Sequence, residues 1–126
     1  MPEDPKRATS GAIFFILDKW YNIFMSMEEL KHKIIPILRA NNVEYAAVFG
    51  SVARGDAGPN SDVDILVRFG KDISLLDHIG VAYELQDSLG KKVDLVTERS
   101  LSKYLAPVIK KDLQILYGQT ARSDLL

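Results

Sequence analysis

Residues 49–67 read FGSVARGDAGPNSDVDILV, and the reading of this stretch decides how the rest of the chain is understood. Its second half, SDVDILV over 61–67, is rich in β-branched residues and alternates in part, which is the pattern of a strand. Strand side chains alternate between faces with period two, so Asp62 and Asp64 point one way and Val63 and Ile65 the other. Two carboxylates that close repel, and one stays protonated unless a cation lies between them. Magnesium relieves that repulsion and prefers carboxylate and phosphate oxygens. A third acid, Asp94, stands in KVDLV, residues 92–96, a second strand-like run. If the two strands are neighbours, three carboxylates meet at one edge. That set suits one or two metal ions clamping the attacking and leaving oxygens of a displacement.

The first half of the stretch supplies a turn. The apolar run over 43–49 ends at Gly50-Ser51, as expected where a buried strand stops and the chain bends sharply. Glycine lets backbone N–H groups approach a phosphate, and the serine hydroxyl adds a donor. Arg54 offers a planar fork for phosphate oxygens. The Gly50–Gly55 spacing copies a Walker loop, yet Asp56 stands where that loop requires lysine, which argues against a P-loop. Asp62-x-Asp64 also fails as a calcium-binding EF-hand, because Val63 and Ile65 are apolar and no glycine follows at the loop's sixth position.

A lone Asp-x-Asp on a strand is ordinarily a solvated rim. The combination is more specific: Gly50-Ser51, ten residues, Asp62-x-Asp64, then Asp94 in an apolar strand. In this the chain resembles the minimal nucleotidyltransferases of the polymerase-beta-type nucleotidyltransferase superfamily, over about residues 30–117. Arg54-Gly55 and Ser61 also match the usual form. The resemblance implies an α/β (α+β) fold, a small mixed β-sheet with helices packed on it. It implies that Gly50 and Ser51, with Arg54 and Ser61, bind the nucleotide's phosphates. It implies that Asp62, Asp64 and Asp94 are the catalytic, metal-binding acids, holding two Mg2+ ions, with ATP as substrate. Many such proteins are antitoxins paired with a HEPN-domain toxin, and some transfer AMP to a tyrosine of that toxin. A HEPN toxin is therefore the expected partner. Transfer to a small hydroxylated molecule such as an aminoglycoside, or toxin binding without chemistry, are the alternatives.

Size and composition set bounds. At 126 residues the chain is one domain by size, and 47% hydrophobic with 26% charged residues is ordinary for a folded domain with a core. A net charge of −1 gives no basic footprint, so no nucleic-acid partner is expected. There is no cysteine, which excludes disulfides and thiolate metal sites and suits the expected cytoplasmic location. Residues 1–25 are set apart as an N-terminal extension. Within it AIFFILDKWYNIFM, residues 12–25, has an apolar run broken by Asp18 and Lys19, far short of the roughly 20 residues a membrane span needs, so no membrane partner is expected. The extension is expected to be a helix or strand packing on the domain or on a partner, or sequence upstream of a start at Met25 or Met27.

The nucleotidyltransferase domain is placed at 26–118 and a tail at 119–126. Residues 26–41 read as a helix with a capping box, Ser26 and Glu29, and a buried face of Leu30, Ile34, Ile37 and Leu38; Pro36 is expected to kink it or delay its start. A strand follows near 44–49, then a helical turn near 52–54, a loop over 56–60 and a strand over 62–69. Residues 74–89 read as a helix capped by Ser74 and Asp77. Its buried side is expected to carry Leu75, Ile79, Ala82, Tyr83, Gln86 and Leu89, with Gly90 as its stop. A strand over 92–97 carries Asp94. Residues 100–112 are expected helical with a break at Pro107, and 114–117 form a short strand. Tyr83 and Tyr104 are assigned to the core, His32 and His78 to surface or satisfied helix positions, and Lys91-Lys92 to weak steering of ATP. The oligomeric state, homo- or hetero-, stays open.

Overall fold

Strand β2 (Val63–Phe69) is the centre of the molecule, and the period-two reading of it holds. The structure, a computed structural model, describes residues 26–58 and 60–126; the expectations for residues 1–25 lie outside them. With β1 (Val43–Phe49), β3 (Val93–Thr97) and β4 (Gln114–Tyr117), β2 builds one sheet in the order β3-β2-β1-β4. β1 runs antiparallel to both its neighbours, whereas β2 and β3 are parallel, so the sheet is mixed as expected. The helices are α1 (Met27–Ala40), α2 (Gly50–Arg54), α3 (Leu75–Leu89) and α4 (Ala106–Lys110).

Alternation divides the apolar residues between two faces. Val63, Ile65 and Val67 of β2 join Val48, Val93 and Leu95 under α1 and α3, whose Leu30, Ile34, Leu38, Val81, Leu85 and Leu89 close that side. Burying each such side chain contributes about 1.5–3 kcal/mol. The opposite face carries Tyr45, Ala47 and Leu66, covered by Leu101, Ala106 and Leu125 of the C-terminal segment. The serine half of both expected capping boxes is present: the Ser26 and Ser74 hydroxyls accept from the Glu29 and Asp77 N–H groups at 3.1 Å each. Pro36 lies inside α1 at an exposed position, and the helix runs through it.

Four expectations are corrected. Leu75, Ile79 and Tyr83 face solvent, and α3 instead turns Val81 and Leu85 inward beside Leu89, which is buried as expected. One fixed contact selects that face: the His78 imidazole Nε2 lies 2.8 Å from the Leu95 carbonyl oxygen, docking α3 on β3. Tyr83 and Tyr104, assigned to the core, are 61% and 77% exposed. Only Ala106–Lys110 of the expected 100–112 helix is α-helical; Pro107 sits in its first turn, where the missing N–H costs nothing.

The fourth correction concerns residues 119–126, which fold back rather than trailing off. Glu98, 2% exposed, accepts from the Thr120 hydroxyl and the Ala121 N–H. Arg122 donates to the Glu98 carbonyl at 2.8 Å, and Leu125 enters the second core. Burial beside Glu98 pushes the Tyr45 phenol up to about 12, so it stays protonated.

Candidate active site

The edge where β2 and β3 begin carries the acids. Asp64 is the register partner of Asp94 across the parallel pair and of Phe49 across the antiparallel one. Asp94 therefore shares the Asp64 face, which is the face of Leu66 and Val96 and lies opposite α1 and α3. Asp62 comes one residue before β2, whose first N–H, that of Val63, donates to the Lys92 carbonyl at 2.9 Å. Asp62 and Asp64 are half-buried and Asp94 is exposed.

Gly50 opens α2 immediately after β1 with φ +72°, a conformation that favours glycine. A Cβ at this position would overlap the Asp64 carboxylate, so the turn's backbone and that acid touch only because residue 50 has no side chain. The turn itself is closed at Gly55, also left-handed, whose N–H reaches the Val52 carbonyl at 3.2 Å, while the Asp56 N–H takes the Ser51 carbonyl at 3.0 Å. Ser51 is half-buried.

The electrostatics are those of crowded like charges. Burial pushes the Asp64 carboxyl above the usual carboxylate range, Asp94 and then Asp62 add to the effect, and Arg54 opposes it. Among the described residues no cation forms an ion pair with Asp62, Asp64 or Asp94. Nor, among those residues, do any three or more acidic, histidine or cysteine side chains form a ready cation cage. The trio is thus gathered by strand register, with its mutually repelling carboxylates spread along the rim. Three aspartates on one rim, with no cation paired to them among the described residues, offer the oxygen-donor chemistry that a hard divalent ion takes together with phosphate oxygens.

The other expected site residues are placed less directly. Arg54 is already engaged, its Nε 3.2 Å from Asp56 and its guanidinium 3.1 Å from Asp112. Ser61 pins the loop, its hydroxyl accepting from the Gly58 N–H at 2.8 Å, and Lys91 reaches the Gly58 carbonyl at 3.5 Å. Two residues that touch the turn escaped sequence reasoning. Asp112 holds Arg54, and Gln114 donates to the Ala53 carbonyl at 2.6 Å. They lie 58 and 61 residues from their partners, and no local pattern marks them.

Known proteins resemble this chain in sequence and fold. The family model for a nucleotidyltransferase domain matches residues 31–116. A Methanocaldococcus jannaschii protein, named as a candidate protein adenylyltransferase, is 48% identical over 81 residues, covering 64% of this chain and 87% of its own. The crystal structure of a toxin–antitoxin with AMP-PNP superposes with a TM-score of 0.65 at 32% identity, covering 75% of this chain and 77% of that one. A structure of a tri-AMPylated HEPN toxin of Shewanella oneidensis in complex with its MNT antitoxin gives a TM-score of 0.61 at 27% identity, covering 75% and 74%. With the match running from α1 into β4 and the Gly50 turn against Asp64, the chain belongs to the nucleotidyltransferase-domain family, among its minimal nucleotidyltransferases.

Proposed function

We propose that this protein is an antitoxin that transfers AMP from ATP to a tyrosine hydroxyl of a partner HEPN toxin, releasing pyrophosphate. One observation carries the reading: Asp64 sits in register with Asp94 and against the glycine that opens the turn, with no cation paired to either acid among the described residues. Asp62, Asp64 and Asp94 would hold magnesium together with the triphosphate. The bound metal supplies charge neutralisation and polarisation of the phosphoryl oxygens.

The chain's own groups do the positioning. Gly50 lets the turn's backbone lie against the phosphates, and the Ser51 hydroxyl donates to them. Arg54, at the far end of the same turn, adds positive charge near Asp64 while staying tethered to Asp56 and Asp112. Asp94 is the exposed acid of the three and would be the one open to an acceptor hydroxyl. The attacking oxygen bonds to the α-phosphorus as the bond to pyrophosphate breaks, and positioning with electrostatics suffices for this without a covalent enzyme intermediate. A protein acceptor is favoured by the likeness to the MNT antitoxin solved in complex with a tri-AMPylated HEPN toxin.

Labelled ATP offered with the HEPN protein and, separately, with an aminoglycoside panel tests this. Label is expected on a toxin tyrosine and should vanish when that tyrosine is changed to phenylalanine. Label on an aminoglycoside instead, or toxin neutralisation without any label, would overturn the reading.

A further inference from the structure

The Gly50–Arg54 turn is not held by its own sequence neighbourhood alone. A five-residue helix leaves most of its carbonyls without helical partners. Two of them are closed locally, Ser51 by the Asp56 N–H and Val52 by the Gly55 N–H. The Ala53 carbonyl points the other way and is taken at 2.6 Å by the Gln114 side-chain amide. Gln114 is the first residue of β4 and the register partner of Val48, two residues before Gly50 on β1. The strand that ends at the turn and the side chain that grips its far end are therefore fixed to one another. Two residues earlier in the chain, Asp112 takes the Arg54 guanidinium at 3.1 Å.

We infer that Gln114 is a positioning residue for the nucleotide: its hydrogen bond to the Ala53 carbonyl sets the angle at which the Gly50-Ser51 turn meets Asp64, and so sets triphosphate affinity. The reasoning is geometric. The turn touches β2 at the contact between Gly50 and the Asp64 carboxylate, where a single added carbon does not fit. A turn free to pivot about Gly50 would move the Ser51 hydroxyl and backbone N–H away from the acids. The Gln114 amide and the Asp112–Arg54 pair oppose that pivot from outside the motif. The Gln114 contact is the better brace, because it is uncharged and its contact with Ala53 is partly buried even though Gln114 itself is exposed, whereas the Arg54 pair is screened by salt. This inference rests on the reading of the turn as the triphosphate site.

Binding of AMP-PNP with magnesium, measured by calorimetry, tests both statements separately in four proteins: the parent, Gly50→Ala, Gln114→Met and Ile115→Ser. Gln114→Met keeps the length of the side chain and removes the donor. Ile115→Ser weakens β4 at an exposed position without touching the turn. Loss of one partly buried hydrogen bond that fixes a binding loop is expected to weaken AMP-PNP by up to roughly tenfold in Gln114→Met. Ile115→Ser, compared at a similar melting temperature, is expected to bind as the parent does. In turnover, KM for ATP should rise in Gln114→Met with kcat little changed, because ground state and transition state lose the same contact.

Parent-like affinity in Gln114→Met would overturn the inference, as would an equal loss in Ile115→Ser, which would make the effect one of strand stability. Parent-like affinity in Gly50→Ala, or no binding by the parent, would overturn the turn's assignment as triphosphate site and the inference with it.

Discussion

The two faces of the sheet are built from the same strands and serve opposite ends. On one, Val63, Ile65 and Val67 are sealed under α1 and α3. On the other, Asp64 alternates with them along the same seven-residue strand, with Asp62 one residue before it, and the C-terminal segment covers Leu66 but leaves these two acids half open. One strand thus carries stability and chemistry on opposite sides. The difference teaches that the two properties can be damaged separately by substitutions one residue apart.

The largest expected effect is on the open face. Asp64→Asn removes one charge-stabilising group and is expected to lower AMP transfer by about 10²–10³. The same change should not cost stability. Asp64 titrates above the usual carboxylate range in the folded chain, so the native state holds that proton more tightly than the unfolded one. Stability contributed by this group therefore falls as pH rises from the usual carboxylate range through the raised value, and at neutral pH the penalty is fully present. Asn carries no such penalty. At pH 7 the Asp64→Asn protein should melt no lower than the parent, and its advantage should fade below pH 4; a markedly lower Tm at pH 7 would place Asp64 in a structural role.

On the sealed face the signs reverse. Ile65→Ala, next in sequence and fully buried, is expected to cost about 2–5 kcal/mol in urea unfolding while leaving transfer intact at temperatures where it is folded. An Ile65→Ala protein as stable as the parent would contradict the packing of that face. The lock beneath the open face comes next. Glu98→Gln takes away the charged acceptor shared by Thr120 and Ala121 and leaves Arg68, 3.9 Å away, less well compensated. A loss of about 1–3 kcal/mol is expected in the same assay. Smallest is the cap: Ser74→Ala leaves the Asp77 N–H unpaired at the start of α3 and should cost about 1 kcal/mol.

The same contrast explains what the sequence made legible. β2 was readable because alternation of Asp62, Val63, Asp64 and Ile65 is a local signal, and both Ser-led caps were readable for the same reason. The face of α3 was not, because Leu75, Ile79 and Tyr83 make as good an apolar stripe as Val81, Leu85 and Leu89. The choice depends on His78 meeting a carbonyl of β3, a contact seventeen residues away. The fold of 119–126 around Glu98 and the grip of Gln114 on Ala53 are longer-range still. The acids of the site could be named from sequence and their assembly on one rim could only be expected, since it depends on β2 and β3 pairing so that Asp64 meets Asp94.

The most direct test of the central claim is mass spectrometry of the HEPN toxin after incubation with ATP, magnesium and either the parent or the Asp64→Asn protein. Addition of AMP to a toxin tyrosine by the parent and none by the variant, with both proteins equally folded, is the predicted result. Equal modification by both would contradict it.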